Sequence, residues 1–508
     1  YKRILKKCIR FRWVTMGVVV GVFVAALLGF GFVEQSFFPP STRPQFMVDF
    51  WMPQGTHIDD TGRQVESIEE YLLEQEGVTH VTSLLGKGAL RFLLTYAPEK
   101  LNSSYAQLLV DVDEASRMEA LLPEIDRYLA EQFPDAQSYA SKFMLGPGSV
   151  GKIQARFDGP DPNVLRRLAS QTQAIMHADG NTKSIRTDWR QRVKLLEPQL
   201  AEDQANRNGI QRSDIALAML QGFQGARVGV FREGDLLLPI ILRAPEAERT
   251  RVESMNDLQV WSPAARKMIP IRQVVSGFET TFEDEIIMRR NRKPTITVYT
   301  DPLSGPATEL FARLRPQIEA IELPEGYTLE WGGEYEDSGN AQAALAGSIP
   351  MFILIMVLVT IGLFNAFREP LVIWLCVPLA LIGVTLGLLS TGQPFGFMAL
   401  LGFLSLIGML IKNAIVLIDE INLQKGQGKE LLAAIIDSGV SRLRPVGMAA
   451  STTALGMLPL FFDAFFISMA VTIVFGLIFA TVLTMVVLPV FYAIIFRAPS
   501  TEAEHAPA

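Results

Sequence analysis

LIGMLIKNAIVLIDEI, residues 406–421, is an apolar run interrupted by a single cation, Lys412. Residues 397–418 are enough to cross a bilayer as a helix, for which about 18–20 apolar residues suffice. Lys412 falls roughly two-thirds of the way along, where a lysine costs about 3 kcal/mol on insertion scales, so by default it is a working group. The bland alternative is that the amine snorkels along its aliphatic stem to the headgroups near Asp419. On a helix Ser405, Gly408 and Lys412 share one face, and the small residues admit another span close to the amine. No Asp or Glu lies within another apolar run, so a carboxylate partner has to come from elsewhere, or burial alone has to titrate Lys412. A lysine facing a carboxylate across spans is a proton switch: protonating the acid removes the attraction and the helices repack. Ser451, Thr452 and Thr453 offer hydroxyls on the following span, although such groups commonly bond their own helix backbone.

Working outward, apolar runs also occupy residues 14–33, 349–367, 371–389, 446–462 and 465–496, giving six expected spans in 508 residues. Lys2, Arg3, Lys6, Lys7, Arg10 and Arg12 precede the first, which is too long for a secretory signal and lacks a small-residue cleavage site, so it reads as a retained anchor. Cations stay cytoplasmic. Arg368, then Lys425, Lys429, Arg442 and Arg444, then Arg497, fall on alternate loops, placing both termini in the cytoplasm and the stretch after the first span outside. The net charge of −7 gives no reason for a nucleic-acid partner. Cys8 and Cys376 are too far apart in topology for a disulfide framework.

The outer stretch of about 310 residues is too long for one core. Strands are expected at 46–51, 78–85, 91–96 and 106–112 with helices at 59–76 and 117–132, a β-α-β pattern with helices on one face of an open sheet. The pattern restarts with a strand at 153–157, a helix at 162–178 and two strands within 182–196, closed by 295–300, a helix at 307–321 and 328–334. Between them lies an insertion with a helix at 213–221 and a hairpin within 228–241, suited to docking or mere decoration. The resulting division is a basic segment 1–13, a span 14–33, a first unit 34–150, a second unit 151–200 with 282–347, the insertion 201–281, five spans within 348–496 and a tail 497–508. The four histidines, His57, His80, His177 and His505, are scattered, and no phosphate loop, metal-ligand set or nucleophile elbow occurs, so neither catalysis nor a cofactor is expected.

Six stretches carry a family resemblance: SFFPPSTRPQFMVDFWMPQGT (36–56), LAEDQANRNGIQRSDIALAML (200–220), WGGEYED (331–337), FNAFREPLVIWLCVPLALIG (364–383), IKNAIVLIDE (411–420) and SRLRPVGMAASTTALGMLPL (441–460). Together they resemble the C-terminal half of a resistance-nodulation-division (RND) efflux pump of the hydrophobe and amphiphile class, over nearly the whole chain. The resemblance implies six transmembrane helices plus an α+β periplasmic domain of repeated βαβ-type porter units with a β-rich docking insertion. It implies a proton-driven antiporter, a homotrimer in a bacterial inner membrane, working with a periplasmic adaptor and an outer-membrane channel. Lys412 would be the relay lysine, facing aspartates on a span of the N-terminal half, and Arg442 the arginine at the cytoplasmic mouth of the relay. Gly408, Asn413 and Asp419 would support it. The relay threonine aligns with Ala449, shifting any hydroxyl role to Ser451 or Thr452.

Substrate is less legible. The loop stretch THVTSLLGKGALRF (79–92) supplies only Phe92 where drug pumps carry several phenylalanines. Alternation along 152–157 puts Lys152, Gln154 and Arg156 on one face; if that face, joined by Arg186, lines the entrance cleft, anionic or phenolic amphiphiles are expected over cationic dyes. Two rival readings are a SecD- or SecF-like protein-export component and a heavy-metal RND exporter, the latter expected to show methionine pairs, whereas methionine here falls mostly inside spans.

Overall fold

The computed structural model describes residues 1–146 and 151–499, so the end of the expected first unit and most of the expected tail lie outside the described residues. Two compact units emerge: one joins Tyr1–Arg190 to the described chain from Ile287 onward, and the other is Gln191–Ile286.

The first unit opens with α1 (Lys2–Arg10) and α2 (Arg12–Phe30). Then come β1 (Gln45–Trp51), α3 (Ile58–Leu73), β2 (Val78–Leu85), β3 (Tyr105–Val112), α4 (Met118–Gln132) and β4 (Gln137–Lys142). Phe46, Val48 and Phe50 alternate along β1 into a core with Val65, Ile68 and Leu72 of α3 and Met118, Ile125 and Leu129 of α4. The sheet order is β2-β3-β1-β4 with every ladder antiparallel. This corrects the β-α-β reading: β3 inserts between the two strands of the first crossover, giving a split arrangement. The strand expected at 91–96 does not form. That segment crosses the opposite face of the sheet, where Ala89 and Tyr96 pack with Met47 and Phe143, and the Thr95 hydroxyl donates to the Met144 carbonyl at 2.7 Å. β4 was hidden because QSYASK buries only Tyr139 and Ala140.

A second split sheet starts with β5 (Ile153–Asp158), α5 (Pro162–Asp179) and β6 (Thr182–Thr187). Asp161 caps α5 by accepting from the Asn163 amide at 2.9 Å, Pro162 fits its first turn, and Gly180 ends it at φ 76°. The chain then leaves for the unit Gln191–Ile286, made of β7 (Val193–Leu200), α6 (Glu202–Arg207), α7 (Arg212–Phe223), β8 (Ala226–Glu233), β9 (Leu236–Leu242), α8 (Glu246–Arg249), β10 (Gln259–Ser262), β11 (Lys267–Pro270) and β12 (Val275–Glu283). Its small core gathers Ala205, Ile210, Ile215, Val260, Ile269 and Val274. β7, expected within the second βα unit, pairs instead with β12, which makes this unit longer than the expected 201–281. The second sheet is completed by β13 (Arg289–Arg290), β14 (Lys293–Pro302), α9 (Ala307–Glu319) and β15 (Thr328–Gly333), in the order β6-β14-β5-β15 with β13 on the free end of β14.

From Gly333 the chain runs straight into α10 (Glu334–Phe364), followed by α11 (Arg368–Cys376), α12 (Ala380–Thr391), α13 (Phe397–Gly426), α14 (Leu431–Met457) and α15 (Ile467–Ile495). Pro378 divides α11 from α12 by a tight 3-10 turn within one span. With α2, six helices are long and apolar enough to cross a membrane. α10 and α14 begin about 15 residues before their apolar runs because the added turns carry charged and polar residues, among them Glu334, Glu336 and Asp337 in α10 and Asp437, Arg442 and Arg444 in α14, that interrupt the apolar pattern. Small residues set the close packing at the bundle centre: Gly383 and Gly387 lie against Phe475, and Gly476 against Leu406.

Candidate transport sites

α13 turns two different faces outward and inward. Ser405, Gly408, Lys412 and Asp419 are exposed, while Leu406, Leu410, Asn413, Leu417 and Ile421 are buried in the bundle. A Cβ added at Gly408 would meet nothing within 4 Å, so that face is open along at least two turns. Among the described residues no carboxylate lies within ion-pair distance of Lys412. Arg442 is not beside it. It grips Glu420 through Nε at 3.1 Å and Nη2 at 2.6 Å, two turns or about 12 Å further along α13. Gln424 donates to the same carboxylate at 2.8 Å. Ser451 and Thr452 are exposed on α14, and the Thr452 hydroxyl donates to the Met448 carbonyl at 2.8 Å, the self-satisfying bond such residues often make.

A second constellation joins the two split sheets within the first unit. Asp49, 5% exposed on the face of β1 opposite the apolar core, accepts from Tyr105 and from the Gln107 amide at 3.2 Å. Gln107 in turn accepts from Tyr96 Oη at 2.8 Å and the Ala89 amide at 2.9 Å. Burial raises the Asp49 carboxyl above the ordinary range, against the opposing pull of the Tyr105 hydrogen bond; burial and the Asp49 charge push the Tyr105 phenol up. From the second sheet, the Arg186 guanidinium lies over Tyr139 at 4.6 Å and Tyr299 at 5.0 Å, and that of Arg190 over Trp51 at 3.4 Å while donating to Gln137 at 2.9 Å. Burial lowers Arg190 to about 10. Ser184, within β6, and Arg190, after it, both sit at φ 55°, in the left-handed region, on either side of Arg186. Arg186 was on the expected cleft face. Asp49, Tyr139 and Arg190 were missed, although a carboxylate in the alternating QFMVDFW was a visible signal.

Asp188, between the two arginines, accepts from the Thr297 amide at 2.9 Å, and burial raises it to about 6. Its folded value lies above the unfolded one, so the folded state carries no penalty below about pH 4 and the full penalty above about pH 6. Asp188→Asn is therefore expected to stabilise the fold at about pH 7.5 by up to about 3 kcal/mol and so to raise the thermal midpoint there, with the gain vanishing toward about pH 4. Thermal scans across that range check it.

The polar face of β5 is largely spoken for. Arg156 pairs with Glu336 on the first turn of α10 and donates to Gln154 at 2.7 Å; Arg290 donates to Glu336 at 2.8 Å. Lys152 instead borders a pocket of about 370 Å³ between the N-terminal ends of α10 and α13 and the second sheet, walled by Phe37, Phe311, Tyr335, Phe395 and Phe397 with Glu334. Phe92 is elsewhere, its ring tilted against Tyr96 and edge-on to Phe143 on the first sheet. The structure thus brings Gln154 and Arg156 together, and sets Lys152, Arg186 and Phe92 in three separate surroundings.

One apolar helix, an α+β domain of two split sheets, and five further apolar helices built onto that domain define a multi-pass membrane protein. The sequence profile of the AcrB/AcrD/AcrF family matches residues 1–496, and the chain belongs to that RND family. It is 24% identical over 515 residues to the cobalt-zinc-cadmium resistance protein CzcA of Cupriavidus metallidurans, covering 98% of this chain and 48% of that protein. It is 22% identical over 517 residues to the swarming motility protein SwrC of Bacillus subtilis, covering 99% and 48%. The crystal structure of a heavy metal efflux pump superposes with TM-score 0.81 at 22% identity, over 96% of this chain and 51% of that one. The chain spans about half the length of the relatives it matches.

Proposed function

We propose that this chain supplies one half of a proton-driven inner-membrane exporter, and that Lys412 is the cation of its proton relay. The observation that carries the reading is the uncovered face of α13, where a lone amine sits among Ser405 and Gly408 in the apolar length of a span. Such a face asks for another bundle. The RND resemblance supplies a matching one, an N-terminal half bearing aspartates, in a trimer with a periplasmic adaptor and an outer-membrane channel. Arg442, held by Glu420, then acts as a fixed positive charge on the proton path, not as a partner of Lys412.

For the cargo, the aromatic pocket with Lys152 favours an anionic amphiphile: rings for the apolar body, an amine for the headgroup. A heavy-metal cargo is the second reading, favoured by the cobalt-zinc-cadmium relative and the superposed pump. Among the described residues no three His, Cys, Asp or Glu side chains come together as a cation cage, so a metal path would draw on other donors. Cells carrying the full transporter are expected to export anilinonaphthalene sulfonate, and Lys152→Ala to weaken that export about tenfold while sparing ethidium. Resistance to cobalt or zinc with no export of the sulfonate would establish the metal reading instead.

A further inference from the structure

α1 is short but firmly fixed. Leu5 and Ile9 are buried in the membrane bundle's core, the Tyr1 hydroxyl donates to the Met485 carbonyl at 2.7 Å, and Lys2 pairs with Asp437 at 3.2 Å. At the far end Arg12 donates to the Ala498 carbonyl at 3.1 Å. Its circumference therefore has a defined orientation, and with about 100° per residue it divides into three sectors. The packed sector holds Leu5 and Ile9. Next comes a basic arc in which Arg3, Lys7 and Arg10, at i, i+4 and i+7, are all exposed. Among the described residues none of these three has a carboxylate within ion-pair distance. The third sector is apolar and exposed, with Ile4 at 61% and Phe11 at 51%; Trp13, 73% exposed, follows at the start of α2.

A basic arc beside an exposed apolar arc is the pattern of a helix lying in the membrane interface, and Trp at the mouth of a span marks the headgroup level. Arg3 and Lys7 border the apolar sector directly. We propose that α1 and the first turn of α2 form a binding site for an anionic phospholipid, its phosphate held by Arg3 and Lys7 and its acyl chains along Ile4, Phe11 and Trp13. A guanidinium matches phosphate oxygens in a two-pronged fashion, and the adjoining apolar residues select a lipid over a soluble phosphate. The site rests only on the chain crossing a membrane, and stands or falls independently of the relay.

Native mass spectrometry of the full transporter, titrated with phosphatidylglycerol or phosphatidylethanolamine, tests it. The wild type is expected to retain phosphatidylglycerol preferentially. Arg3→Gln with Lys7→Gln is expected to lower that retention about 30-fold, since two interfacial charges are lost, and to lower that of phosphatidylethanolamine far less, because its own ammonium offsets its phosphate. The exchange Arg3→Lys with Lys7→Arg is expected to keep the preference, which separates lipid binding from misfolding. Phe11→Ser is expected to weaken retention of both lipids. Equal phosphatidylglycerol retention by the wild type and the Gln pair, or its displacement by inorganic phosphate, would overturn the proposal.

Discussion

Lys412→Ala is expected to reduce export to the level of cells lacking the transporter while leaving its amount in the membrane unchanged. The amine has no ion-pair partner among the described residues and Lys412 is exposed, so its removal leaves no buried charge uncompensated within this half. It even relieves an insertion cost of about 3 kcal/mol. What disappears is the cation whose attraction to an acidic group changes when that acid is protonated, and with it the two-state repacking of the spans. Lys412→Arg keeps the charge but replaces the compact ammonium by a broad planar fork, so it is expected to be inactive too. Steady-state accumulation of an exported dye, beside immunoblots of membrane fractions, reads both effects. A mere snorkelling lysine would leave export intact in either variant.

Trp189→Ala is expected to have the largest effect on stability, about 3–5 kcal/mol. Trp189 is fully buried in the second sheet's core, its indole donates to the Thr295 carbonyl at 2.8 Å, and Arg166 lies over its ring at 5.8 Å. It also anchors the turn that sends Arg186 and Arg190 to the first sheet, so the same substitution is expected to loosen the contact between the sheets. Trp189→Phe keeps most of the ring and loses the hydrogen bond, a cost of about 1 kcal/mol. Thermal unfolding and amide exchange along β6 and β14 measure the series, with exchange expected to rise in β6 first.

Which of these features the sequence displays follows from the kind of interaction involved. The spans and Lys412 stand out because the bilayer imposes a single length and polarity on every helix that crosses it. β1 and α3 are equally plain, since Phe46, Val48 and Phe50 keep a period of two and Val65, Ile68 and Leu72 a period near 3.6. β4 is not, because an edge strand with Tyr139 and Ala140 as its only buried residues has almost no apolar pattern to show. The residues 91–96 mislead for the opposite reason: their apolar side chains cover a sheet without joining it. The Asp49, Arg186 and Arg190 cluster and the Arg156 to Glu336 pair span separations of more than a hundred residues, and no local period encodes them. Neither does any local signal reveal that Arg442 faces Glu420 and leaves Lys412 to another partner.

The relay is tested most directly by proton flux in proteoliposomes containing the full transporter. An imposed pH gradient is expected to drive anilinonaphthalene sulfonate transport together with proton movement in the wild type, and Lys412→Ala is expected to abolish both under the same gradient. Undiminished, substrate-coupled proton flux in Lys412→Ala would contradict the assignment of Lys412 as the relay cation.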